Sequence, residues 1–113
     1  MTFMSMKSTA VITGAYPTAA PSDAGLSGKT FPILGGFTSI DFKLHATAGS
    51  GTYIPIVWDS VDWVPLGSIA VDSALLGGYA FGRFSPGAYF THAALWEQSA
   101  ATLNKSAIGF NIR

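Results

Sequence analysis

A chain of 113 residues is long enough for one buried core and too short for two. It is 49% hydrophobic and 11% charged, and six basic side chains balance six acidic ones; this excludes the basic footprint of a nucleic-acid binder or of a protein held on anionic lipid. With no cysteine there is no disulfide, thiolate nucleophile or cysteine zinc site, so packing, backbone pairing and self-association must hold the fold, and near-zero net charge favours contact between copies.

Residues 1–30 read as an extended N-terminal arm. The stretch "AYPTAAPSDAGLSGKT" has no period that buries a face, and Pro17 and Pro21 forbid a regular helix. A short strand is expected within Thr9–Tyr16. Such an arm either frays or orders against a partner. Lys7 followed by "STAVITGAY" is too short an apolar run for a signal peptide. Nowhere does the chain offer the ~20 continuous apolar residues of a spanning helix, so no membrane partner is expected.

From residue 31 to 113 the expected unit is a β-sandwich domain. In "FTSIDFKLHATA", Ile40, Phe42, Leu44 and Ala46 alternate with Ser39, Asp41, Lys43 and His45, the mark of a strand with one face on a core. Gly49 to Gly51 supplies a turn, and "TYIPIVW" follows as a strand. Pro55 cannot donate to a ladder, which places it at a sheet edge or a bulge. "SVDWVPLGSIAVD" divides into two short strands at 65–67, and "SALLGG" is a turn. Ser85-Pro86-Gly87-Ala88 suits a type II turn, which splays flanking strands and so marks a looser connection or a sheet corner. Beyond it Tyr89, Thr91, Ala93 and Leu95 share one face and Ala88, Phe90, His92 and Ala94 the other. Both faces are apolar, as in a strand covered on both sides; the outer cover must be an arm, another copy or a partner. "WEQSAATLNK" has room for one helical turn, and "SAIGFNIR" closes the chain as a strand. Short strands at regular spacing define an all-β fold, an antiparallel β-sandwich (jelly-roll-like or Ig-like) with an extended N-terminal arm.

Chemistry-bearing constellations are few. "LSGKT" has Asp23 where a phosphate loop needs its first glycine, and no strand-to-helix context. His45 and His92 lie on separate strands without a nearby acid, and read as surface or interface residues rather than metal ligands. Asp59, Asp62 and Asp72 read as solvated turn acids, since no D-x-D-x-D-G loop is present. Glu97 is the sole glutamate, and no G-x-S-x-G elbow exists. No catalytic residue, cofactor or metal is expected, and the protein reads as a non-enzyme. Asn104-Lys105-Ser106 matches the glycosylation triplet without support for secretion. Trp58, Trp63 and Trp96 read as core or interface anchors before a sugar-stacking platform.

The order of elements, from "TSIDFKLHA" through "VPL" to "LLGGYAFGRFSPGAYFTHAAL" and "IGFNIR", resembles the small β-sandwich virion proteins of tailed bacteriophages, especially capsid decoration (cement) and head-fibre-like proteins. The resemblance covers residues 31 to 113 and rests on Gly78, Tyr79, Phe81, Pro86, Gly87 and Tyr89. His92 stands where arginine is common in that family, and "WDSVDWV" is richer in tryptophan. The resemblance implies a structural protein on the capsid surface, made in the host cytoplasm, that binds and bridges the major capsid protein as a homo-oligomer, a trimer before a dimer. Tyr16, Pro17, Pro21, Trp58, Trp63 and Trp96 are the expected interface residues, toward the capsid or another copy, with residues 8–30 as a clasp. The alternatives are a carbohydrate-binding sandwich, on a fibre or free, and a tail or connector component.

Overall fold

Alternation decides the first layer. In a computed structural model of the chain, Ile40–Ala48 forms strand β3, with Ile40, Phe42, Leu44 and Ala46 buried and Asp41, Lys43, His45 and Thr47 on the opposite face. The structure describes residues 2–6, 11–32, 39–85, 90–103 and 108–112, the side chains of 2–6, 103 and 108–112 excepted. Before β3 come β1 (Thr2–Met6) and β2 (Thr30–Pro32). After it come β4 (Ser50–Trp58), β5 (Trp63–Pro65), β6 (Ile69–Asp72), β7 (Tyr79–Phe84), β8 (His92–Ser99), β9 (Thr102–Leu103) and β10 (Ile108–Ile112).

These strands make two antiparallel five-stranded sheets packed face to face, a β-sandwich. The first runs β1-β10-β3-β7, with β9 on the far end of β3; the second runs β2-β8-β4-β5, with β6 on the near half of β4. Chain neighbours β3 and β4 lie in different sheets, so the link between them is a corner. Gly49, at φ 71°, makes it, a conformation that costs a residue with a Cβ. The Gly49 carbonyl accepts the Ser73 amide at 3.0 Å, which pins the corner to the end of β6.

Between the sheets lie Ile40, Phe42, Leu44, Tyr53, Val57, Ile69, Val71, Ala93 and Leu95, with Val11 and Phe31 in the same cluster. Full burial of such a side chain contributes roughly 1.5–3 kcal/mol. The second sheet is apolar on its outer face as well, where Ile54, Ile56, Trp63 and Ala94 form a separate buried cluster. Its cover is the chain's own arm: Ile12 and Leu26 belong to this cluster, with Tyr16 and Ala19 packed against it. The two-sided strands expected from residues 88 to 95 are thus explained in cis, at least for Ala93 and Leu95 on one side and Ala94 on the other.

Three local expectations change. Within Thr9–Tyr16 the described residues make no strand; Ile12 forms a single parallel bridge to Trp96, its amide bonding to Leu95 O and its carbonyl to Glu97 N. Pro55 is not at an edge: it is fully buried in the central strand β4, paired with Leu95 of β8. It is tolerated because β5 pairs only with 56–58 and β6 only with 50–53, leaving a gap beside 55 where no donor is required. The Pro55 carbonyl, on that side, takes the Leu66 amide at 2.9 Å. Third, "WEQSAATLNK" makes no helical turn over its described part, because β8 continues to Ser99 and β9 follows. The Ser85-Pro86-Gly87-Ala88 turn and the 104–106 triplet lie outside the described residues, Ser85 apart.

Candidate functional site

The expected interface anchors meet in one place, the outer face of the second sheet. Trp58 and Trp63 pair across the β4–β5 hairpin and their rings pack at 5.4 Å. Tyr16 sets its ring edge-on to Trp96 at 5.1 Å and donates its hydroxyl to Trp63 O at 2.6 Å. Each of two indole N–H groups finds an arm carbonyl: Trp63 Nε1 donates to Ala19 O (2.8 Å) and Trp96 Nε1 to Gly14 O (3.1 Å). Burial, with Asp62 as a smaller contributor, holds the Tyr16 phenol above its ordinary pKa. Pro17 is buried and Pro21 half-buried on the same arm. A buried tryptophan needs a partner for its N–H, and here the arm's backbone supplies it. Trp63 and Trp96 therefore form a seam between arm and sheet, with Trp58 packed on Trp63; Trp63 is 4% exposed and offers no platform to a sugar.

The large apolar side chains left in solvent are elsewhere. Among the described residues these are Val61, Val64, Leu75, Leu76, Tyr79 and Phe81. Val61 stands at the tip of the β4–β5 hairpin. Asp59 Oδ1 accepts the amides of Val61 (2.8 Å) and Asp62 (2.7 Å), which fixes the tip and lowers the Asp59 pKa. Leu76, at φ 52°, begins a left-handed run with Gly77 and Gly78, and is 86% exposed. Leu75, Leu76 and Tyr79 wall a cleft of about 380 Å³ whose polar side is Ser50, Thr52, Asp72 and Ser99.

The outer face of the first sheet carries a two-by-three array, set by the β3–β7 register: His45 opposite Tyr79, Lys43 opposite Phe81, Asp41 opposite Arg83. His45 and Tyr79 stack at 4.2 Å and 13°, with Lys43 Nζ 5.8 Å from the Tyr79 centroid. The His45 Nε2 lies 3.2 Å from Gly77 O. Arg83 binds Asp41 through two contacts, Nε to Oδ1 at 2.7 Å and Nη2 to Oδ2 at 3.1 Å. Phe81 projects between these groups, 71% exposed. Arg83 stands out in the sequence as the one charge in 77–95, whereas Phe81 does not stand out as a contact residue. The signal for it was parity: in β7, residues 79, 81 and 83 share a face opposite the core-facing 80, 82 and 84.

The remaining candidates have structural partners. Asp72 Oδ1 accepts the Ala74 amide, His92 Nδ1 lies 2.9 Å from Thr91 Oγ1, and Glu97 accepts the Tyr53 hydroxyl at 2.8 Å. "LSGKT" is a turn that runs into β2. Among the described residues no three His, Asp or Glu side chains stand close enough to hold a metal ion, and no helix is long and apolar enough to cross a membrane.

Fold and surface together define a β-sandwich whose second sheet is covered on its outer face by the chain's own arm, with exposed apolar side chains on edge and loop. No protein-family model, curated protein or solved structure matches the chain.

Proposed function

We propose that the protein is a non-catalytic structural component of a virus particle, a decoration protein that docks on the outer capsid shell and bridges its major capsid subunits as a homo-oligomer. The observation that carries this reading is the exposed apolar set, Val61, Val64, Leu75, Leu76, Tyr79 and Phe81, on a body with 11% charged residues and no net charge. The set falls into groups, Val61 and Val64 by the end of β4 that pairs β5, and Leu75, Leu76 and Tyr79 by its start; exposed apolar clusters mark interaction surfaces, and the resemblance of residues 31 to 113 suggests the partner. The pinned tip at Val61 and the Leu75–Leu76 lip present apolar side chains on short, tied loops, so little order is lost on docking. A ligand that binds only the assembled shell stabilises it by RT ln(1 + [L]/Kd), and repetition over a symmetric lattice multiplies modest contacts.

The test mixes purified protein with undecorated capsids. Co-sedimentation and a higher disruption temperature of the shells are expected, both weakened by Val61→Asp and by Leu76→Asp. Shells that pellet alone and break at an unchanged temperature refute the reading.

A further inference from the structure

Among the described residues the first sheet ends in two edge strands, β1 and the longer β7. On the second sheet, edge strands β2 and β5 are three residues long and end in Pro32 and Pro65, two of the usual defences against edge pairing. β7 is six residues long, "YAFGRF", with no proline or lysine. Among the described residues its ladder partner is β3 alone. Its one charge, Arg83, is already neutralised by Asp41. Such an edge is a template for another strand.

The surface beside that edge has a knob and a hole. Phe81 is the knob. The hole is a depression of about 380 Å³ lined by Asp41, Phe42, Phe81, Gly82 and Arg83. Asp41 holds the Arg83 guanidinium by its N–H edge, which leaves the flat face to stack on an aromatic ring. Knob and hole adjoin on the outer face: Phe81 is one wall of the hole and Arg83, beyond Gly82, the other, with Asp41 and Phe42 of β3 beside them. A two-fold axis at Gly82 therefore puts Phe81 of each copy across from Arg83 of the other on the same sheet face. The net charge of zero sets no repulsion against the match.

We propose that β7 pairs antiparallel with β7 of a second copy about a two-fold axis at Gly82, so that the first sheets of two molecules become one continuous sheet and each Phe81 ring stacks on the other copy's Arg83. This contact is isologous and closed. It gives a dimer, and it does not rest on the capsid reading.

The experiment is done on the full chain in buffer, with no shell present. Sedimentation equilibrium is expected to give a dimer, and Phe81→Lys to raise its dissociation constant at least tenfold, about 1.4 kcal/mol, with an unchanged circular dichroism spectrum. The protein has no cysteine, so cross-links report register directly. A mixture of Phe81→Cys and Arg83→Cys chains should form a disulfide between the two variants on mild oxidation, in greater yield than either alone. A monomer throughout the concentration range, a trimer, a dimer untouched by Phe81→Lys, or no excess of the mixed cross-link each overturns the proposal. Loss of shell binding by a chain that still dimerises would instead count against the decoration reading alone.

Discussion

Truncating Ile12 to alanine tests whether the arm is part of the folded core. Ile12 is 4% exposed, lies in the outer cluster with Ile54, Ile56 and Trp63, and bonds through its backbone to both sides of Trp96. The substitution keeps those backbone bonds and removes only buried side-chain volume. An Ile→Ala change at such a site costs about 2–5 kcal/mol. That is a large share of the ~5–15 kcal/mol that holds a domain together, and lowers the melting temperature by roughly 10–20 °C. Exposed Thr13, its neighbour, serves as the control, with a shift within about 0.5 kcal/mol on truncation. Calorimetry gives the melting point, and tryptophan emission reports the site, since all three indoles sit on the face the arm covers. The expected result is an Ile12→Ala chain that melts early with red-shifted emission. If it melts with the wild type while Ile54→Ala does not, the arm is not seated on the sheet in solution. The same reasoning makes removal of residues 1–22 destabilising to the isolated protein, whereas a free clasp would leave it intact.

Three further outcomes follow from single sites. Gly78→Ala is expected to cost about 3 kcal/mol or more by denaturant titration, because φ is 85° and a Cβ would collide with Ala46 O; Gly77→Ala, at φ 68° with only an ordinary contact to the Tyr79 ring at 3.7 Å, costs about 1 kcal/mol. Tyr16→Phe removes the hydroxyl bond to Trp63 O but keeps the ring against Trp96, for a loss of about 1–2 kcal/mol, smaller than that of Tyr16→Ala. Tyr53 lies in the core, and its burial, aided by Glu97, pushes its pKa up to about 12. The folded state thus keeps a proton that the unfolded state loses above pH 10, so stability is whole below that pH and falls by up to about 3 kcal/mol as pH rises toward 12. A pH series of urea midpoints checks this, and Tyr53→Phe should flatten the fall while costing stability at neutral pH through the lost bonds to Glu97 and Ala101.

Part of the site is legible in the sequence. The residue types that hold the arm, Tyr16 and the three tryptophans, stand out in a chain this poor in charge, and they do meet. What the sequence leaves open is whether they meet within one chain or between two. An arm that lies across strands touches the sheet at Ile12, Tyr16, Ala19 and Leu26, spacings with no period, because each contact depends on where the loop crosses rather than on a repeating backbone. Phe81 and Phe84 look alike in "YAFGRF", yet one is 71% exposed and the other packs on the core.

The fold class was set by the chain alone. Period-two alternation, glycine corners and proline breaks are local properties, and a strand such as β3 must bury Ile40, Phe42, Leu44 and Ala46 wherever it lands. Only the tertiary structure decided that Pro55 sits in a central strand, that the arm closes the outer face, and that β7 is left at an edge. Those outcomes depend on which strands lie side by side. Pairing partners are chosen by the packing of all the layers at once, and a gap beside β4 or an edge position for β7 exists only after every other strand has found its place.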